Sequence, residues 1–109
     1  MEIKSRIWIE KNGEPFIGFG RIKLLKMVDE KMSINAAAKE LKMSYRKAWK
    51  LLNEMNLMTE KPIVIKNIGG KDGGGTVLTE YGRQLIQDFE TINKNCMNYL
   101  EKEFEKLAI

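Results

Sequence analysis

A mostly helical fold with a small amount of β-structure is predicted by three features of this chain. Residues 33–56, SINAAAKELKMSYRKAWKLLNEMN, write two short helices, a tight joint and a basic second helix. Residues 69–75, GGKDGGG, set five glycines in seven positions between two β-branched runs. Residues 80–109 hold a helical apolar period over a length that a small domain does not need for its own core. At 109 residues the chain has the length of one domain, and its boundaries are taken as 1–109 with three parts, 1–17, 20–79 and 80–109.

The first part is predicted as a β-hairpin. In IKSRIWIEK, residues 3–11, Ile3, Ile7 and Ile9 fall on one side and Lys4, Arg6, Trp8 and Glu10 on the other, the alternation of a half-buried strand. Asn12-Gly13 is a strong hairpin-turn signal, and Pro15-Phe16-Ile17 forms the returning strand. Trp8 on the polar side is either covered by a neighbour or part of a subunit contact.

A supporting helix follows from about Gly20 to Lys31, with Ile22, Leu25 and Val28 on its buried face. Ser33 is placed to cap the next helix, in which Ile34, Ala37, Ala38 and Leu41 share one face. The alanines matter because two helices joined by a short turn approach closely only where the contact residues are small. Ser44 starts a further helix. Its apolar stripe is Tyr45, Ala48, Leu52 and Met55, which leaves Arg46, Lys47, Lys50 and Asn53 on other faces.

Pro62 ends the helical run. Ile63-Val64-Ile65 and Thr76-Val77-Leu78 are predicted strands, and the glycine tip between them makes a β-hairpin directly after a basic helix, which is a wing. The whole is thus expected to be a winged helix-turn-helix. Thr79 then caps a long final helix, on which Leu85, Phe89, Ile92, Cys96 and Tyr99 step by four and three, and Leu100 opens a continuation of the seam. About 27 residues at roughly 1.5 Å each reach near 40 Å, so much of this seam is expected to need a second copy of the chain.

Composition removes several classes of chemistry. There is no histidine, and Cys96 is the single cysteine, which excludes an internal disulfide and a cysteine cluster for zinc. Cys96 lies in an apolar helical pattern and is assigned to packing, as are the seven methionines. The phosphate-loop pattern fails because Gly69 and Gly74 are followed by Gly75-Thr76 without the lysine. A dinucleotide fingerprint beginning at Gly18-Phe19-Gly20 fails at Lys23, where its third glycine belongs. No catalysis, cofactor or metal is expected. No run of 18 apolar residues appears and the start MEIKSR lacks an apolar signal region, so a cytoplasmic protein without a membrane partner is expected.

The net charge of +4 is unevenly placed. Residues 39–50 hold five cations against Glu40, whereas residues 80–109 hold four cations against six carboxylates. Such polarity suits a protein that presents one surface to a polyanion.

The run AAKELKMSYRKAWKLLNEMN, with GGKDGGGTVLTEYGRQLI after it, resembles the N-terminal DNA-binding domain of the molybdate-responsive repressor (ModE) family. It is more distantly similar to LysR-type reading domains, whose landmarks recur at Ala37-Ala38, Leu41, Ser44 and Leu78-Thr79-Glu80-Tyr81-Gly82. The resemblance implies a homodimeric winged helix that binds double-stranded DNA to regulate transcription. It places base reading on Ser44, Tyr45, Arg46, Lys47 and Lys50, with Arg46 the candidate for a guanine. Lys39, Lys42 and Lys71 are candidates for phosphate contacts, and Leu85, Phe89, Ile92, Cys96, Tyr99 and Leu100 for the dimer interface. Full-length molybdate repressors continue into small β-barrel domains that hold the oxyanion. No such segment stands in these residues, so oxyanion sensing is not expected of them and any effector is expected to be a separate partner. A protein-docking module built on the same frame is the alternative reading.

Overall fold

The computed structural model describes residues 1–66 and 75–109. The elements run β1 (Trp8–Lys11), β2 (Glu14–Gly18), α1 (Phe19–Lys31), α2 (Ile34–Glu40), α3 (Tyr45–Leu57), β3 (Val64–Lys66), β4 (Thr76–Leu78) and α4 (Glu80–Glu105). The strands form two separate antiparallel pairs, β1 with β2 and β3 with β4. The predicted glycine tip, apart from Gly75, lies outside the described residues, as does Lys71. Among the described residues no helix is long and apolar enough to cross a membrane.

The β1–β2 turn is built as its sequence requires. Asn12 and Gly13 have φ of 52° and 83°, the positive pair that a two-residue hairpin turn with the right twist demands. The first strand is shorter than its alternation suggests, because residues 3–7 are not in β1. Ser5 instead lies against the last helix, its Oγ 3.1 Å from Met97 Sδ, and Ile3 and Ile7 are half-buried. Ile9, expected on the buried side, is exposed. A register shift opposite Ile9 and Glu10 lets two successive residues of β2, Phe16 and Ile17, both pack against the core.

The core is a single cluster fed by every helix. Leu24, Leu25 and Val28 of α1, Ala37 and Ala38 of α2, and Ala48, Leu52 and Met55 of α3 are almost fully enclosed, with Ile63, Val64 and Leu78 closing it from the strands. At roughly 25 cal/mol for each Å² of apolar surface removed from water, this burial is the main force holding three short helices together. Ser33 and Ser44 cap α2 and α3 through their hydroxyls, which accept from Ala36 N and Lys47 N at 3.1 Å each.

The joint between α2 and α3 has a defined chemistry. Lys42 N donates to Lys39 O and Met43 N to Ala38 O, the paired bonds that end a helix with one left-handed residue. That residue is Lys42, at φ 56°, where glycine would be the unstrained choice.

The entry to α4 is closely packed. Thr79 Oγ1 accepts from Gly82 N at 2.9 Å and itself donates to the carbonyl of Pro62 or Ile63, so one hydroxyl caps α4 and latches the segment before β3. A Cβ on Gly82 would stand 2.6 Å from Ile63 O, and only glycine fits. The Leu-Thr-x-x-Gly landmark therefore has a physical reason. Ile86 and Phe89 carry the first turns of α4 into the core. Phe89 is only 5% exposed. It is satisfied within its own chain, contrary to its expected place in an unpartnered seam, because α1 packs across this part of the helix.

Candidate nucleic-acid interface

The buried stripe of α3 determines what the helix presents. With Ala48, Leu52 and Met55 turned into the core, Ser44, Tyr45, Arg46, Lys47 and Lys50 are all exposed around its N-terminal half. Tyr45 was expected in the apolar stripe, yet it is 52% exposed, since the first turn of α3 projects past the edge of the core. It lies among the exposed polar residues at this end of α3. Lys39 at the end of α2 and Lys42 in the joint are exposed beside the same helix end.

Some cations elsewhere in the described residues are held by carboxylates. Arg83 Nη2 lies 3.0 Å from Asp29 Oδ1 and Nη1 3.0 Å from Glu80 Oε1, Lys26 pairs with Glu90, and Lys106 with Glu103. The hydrogen bond Arg83 donates to Asp29, followed by the Asp29 charge, raises the Arg83 pKa above its ordinary value. In contrast, among the described residues Lys39, Lys42, Arg46, Lys47 and Lys50 make no ion pair. Unneutralised cations on one face are what attraction to a polyanion requires.

Three anchors missing from the sequence reading hold α3 in place. Asn56 Oδ1 accepts from the backbone N–H of Ile63 and Val64 at 2.8 and 3.1 Å, and its Nδ2 donates to Val64 O at 2.9 Å. This side chain thus pins β3 to the C-terminal end of α3. Arg21 reaches from α1 to Glu54 at 3.0 Å, half-buried. Lys11 of the hairpin donates to Met58 O at 2.8 Å, placing a cation at the carbonyl end of α3, where it is electrostatically favourable. A fourth contact joins α3 to the strand: Lys66 Nζ sits 3.9 Å from the centroid of the Trp49 ring. Burial lowers the Lys66 pKa from its ordinary value. No periodic signal links residues 17 positions apart, so only the folded chain reveals this pair.

The expected dimer residues divide on α4. Leu85 packs against the core, Cys96 and Leu100 are half-buried, and Phe89 is enclosed. Ile92 and Tyr99, 52% and 63% exposed and one heptad apart, remain uncovered by the chain.

A short helix, a tight left-handed joint and a second helix with bare cations define a helix-turn-helix protein, and the small sheet beside it is consistent with a winged helix. Comparison with known proteins narrows this class. The chain is 43% identical over 79 residues to the transcriptional regulator ModE of Haemophilus influenzae, a match covering 72% of this chain and 31% of that protein. It is 46% identical over 72 residues to the DNA-binding transcriptional dual regulator ModE of Escherichia coli K12, covering 66% and 28%. To the molybdenum transport protein ModE of Azotobacter vinelandii it is 37% identical over 87 residues, covering 80% and 32%. The chain belongs to the ModE family. It spans about a third of the length of the curated relatives it matches. No family model matches it.

Proposed function

We propose that this chain is a sequence-specific reader of double-stranded DNA that regulates transcription as a homodimer, by binding and not by catalysis. The observation that carries this reading is the exposed cluster of cations on α3 and its joint, Lys39, Lys42, Arg46, Lys47 and Lys50, none of which makes an ion pair among the described residues. In this reading α3 lies in the major groove, where Arg46 in its first turn meets base edges and the lysines hold register on phosphates. The names of the relatives, one of them called DNA-binding, support the assignment.

The residues uncovered on α4, Ile92 and Tyr99, supply the dimer contact in this reading, and the strand pair β3–β4 is the base of the wing that carries Lys71. Measuring affinity for selected duplexes by fluorescence anisotropy at a series of salt concentrations tests the proposal. If a dimer neutralises about six phosphates, the log–log slope is near −5. A flat salt response would favour the protein-docking alternative.

A further inference from the structure

We propose that Trp49 and Lys66 act as one phosphate-gripping unit, in which the indole of the reading helix holds the Lys66 ammonium as an additional DNA-backbone cation. The inference rests on the DNA-reading assignment above and extends it to two residues outside the helix-turn-helix pattern of lysines. Trp49 lies on the flank of α3, four residues after Tyr45 and three after Arg46, so it adjoins the reading face. It is 39% exposed, which leaves an aromatic face open to a neighbour. Lys66 is the last residue of β3, on the strand that leads from α3 toward the glycine-rich segment, and its ammonium stands 3.9 Å from the ring centroid.

The choice of partner is informative. A carboxylate would orient Lys66 but cancel its charge toward a polyanion, as Asp29 and Glu80 do for Arg83. An aromatic face attracts a cation through its quadrupole and leaves the net charge intact. Among the described residues Lys66 makes no ion pair. Slight burial lowers its pKa from the ordinary value. Ordering therefore precedes contact with a phosphate on the open side of the ammonium. Trp49 is a positioning residue in this scheme and Lys66 is the contact.

The test uses the full chain and its highest-affinity duplex selected from a random pool, with Trp49→Leu, Trp49→Phe, Lys66→Met and the double Trp49→Leu/Lys66→Met variant. Each of Trp49→Leu and Lys66→Met is expected to weaken binding roughly 2- to 5-fold, and the double variant no more than either alone. Trp49→Phe keeps a ring and most of the affinity. The decisive readout is the salt slope. Removing the uncharged Trp49 ring should lower its magnitude by up to about 2 for a dimer, as though a cation had been deleted from each chain. Loss of packing alone would not do this.

Multiplicative losses in the double variant, or an unchanged slope in a folded Trp49→Leu variant, overturn the proposal. If Trp49→Leu does not fold, Lys66→Met decides, and unaltered affinity and slope overturn it. Arg46→Ala separates the two levels: if it loses specific binding while the Trp49 and Lys66 variants match the parent, only the present inference falls. A parent chain without salt-sensitive DNA binding removes both.

Discussion

At the scale of single residues, two side chains on the same helix have opposite duties. Arg46 is exposed in the first turn of α3 and makes no ion pair among the described residues, so its removal should leave the fold intact. Arg46→Ala is expected to cost roughly 1–3 kcal/mol at the specific site and to relax one base preference, whereas Lys71→Ala should weaken all sequences about equally. Competition binding against single-base variants of the site distinguishes them, and equal loss of specificity from both would reject the assignment. Asn56 is the converse. Its amide satisfies the backbone N–H of Ile63 and Val64, and Asn56→Ala leaves those donors without a partner beside the core. The expected loss is about 2 kcal/mol in chemical denaturation. A variant as stable as the parent would show that water replaces the amide.

At the scale of elements, the joint between α2 and α3 couples stability to binding with opposite signs. Lys42 holds a left-handed conformation that glycine adopts freely, and in the proposed function its charge faces DNA. Lys42→Gly is therefore expected to stabilise the chain by about 1 kcal/mol while weakening DNA binding. Thermal melting and anisotropy together check this, and stability that falls would mean the lysine makes a contact of its own in the fold.

The elements also show what a sequence discloses. Caps at Ser33, Ser44 and Thr79, the Asn12-Gly13 turn, the alanine contact at Ala37 and Ala38, and both short strands after Pro62 were legible because each rests on local chemistry or a short period. The extent of β1 was not. Alternation continues back to Ile3, but pairing needs a partner strand, and β2 passes into α1 after Gly18, opposite Trp8. The burial of Phe89 within its own chain was not legible for a related reason, since a heptad step cannot tell a helix packed on its own domain from one packed on another chain. Within the site, the bare cations of α3 were legible from their spacing around the buried stripe, whereas the bracing of that helix by Lys11, Arg21, Asn56 and Lys66 joins distant segments.

At the scale of the whole molecule, the described residues of α4 sort into an enclosed start and an uncovered middle. Gly82, Ile86 and Phe89 belong to the core, and Ile92 and Tyr99 do not. If these two form the proposed dimer contact, a double substitution Ile92→Glu with Tyr99→Glu should sediment as a monomer with an unchanged circular dichroism spectrum. Specific affinity would be lost while weak, salt-sensitive binding survives. A two-fold dimer places reading helices about 34–36 Å apart, so the selected site should be a near-palindrome with half-sites one turn, or a multiple of it, apart. A variant that stays dimeric moves the interface elsewhere, and exposed Trp8 on the hairpin is then the next residue to change.

The enclosure of Ala48, Leu52 and Met55 on one side of α3 has a consequence for how such a chain diverges. Apart from Ser44, which also caps α3, the residues that pack the helix and the residues proposed to read a sequence are separate sets, one sealed in the core and the other touching solvent. Substitutions at Tyr45, Arg46, Lys47 or Lys50 can thus alter which sequence is preferred at little cost in folding free energy, since exposed sites away from special features usually shift stability by under about 0.5 kcal/mol. New preferences are reachable one position at a time, each intermediate remaining folded, and the same property makes α3 a helix whose target can be rewritten by exchanging its outer face alone.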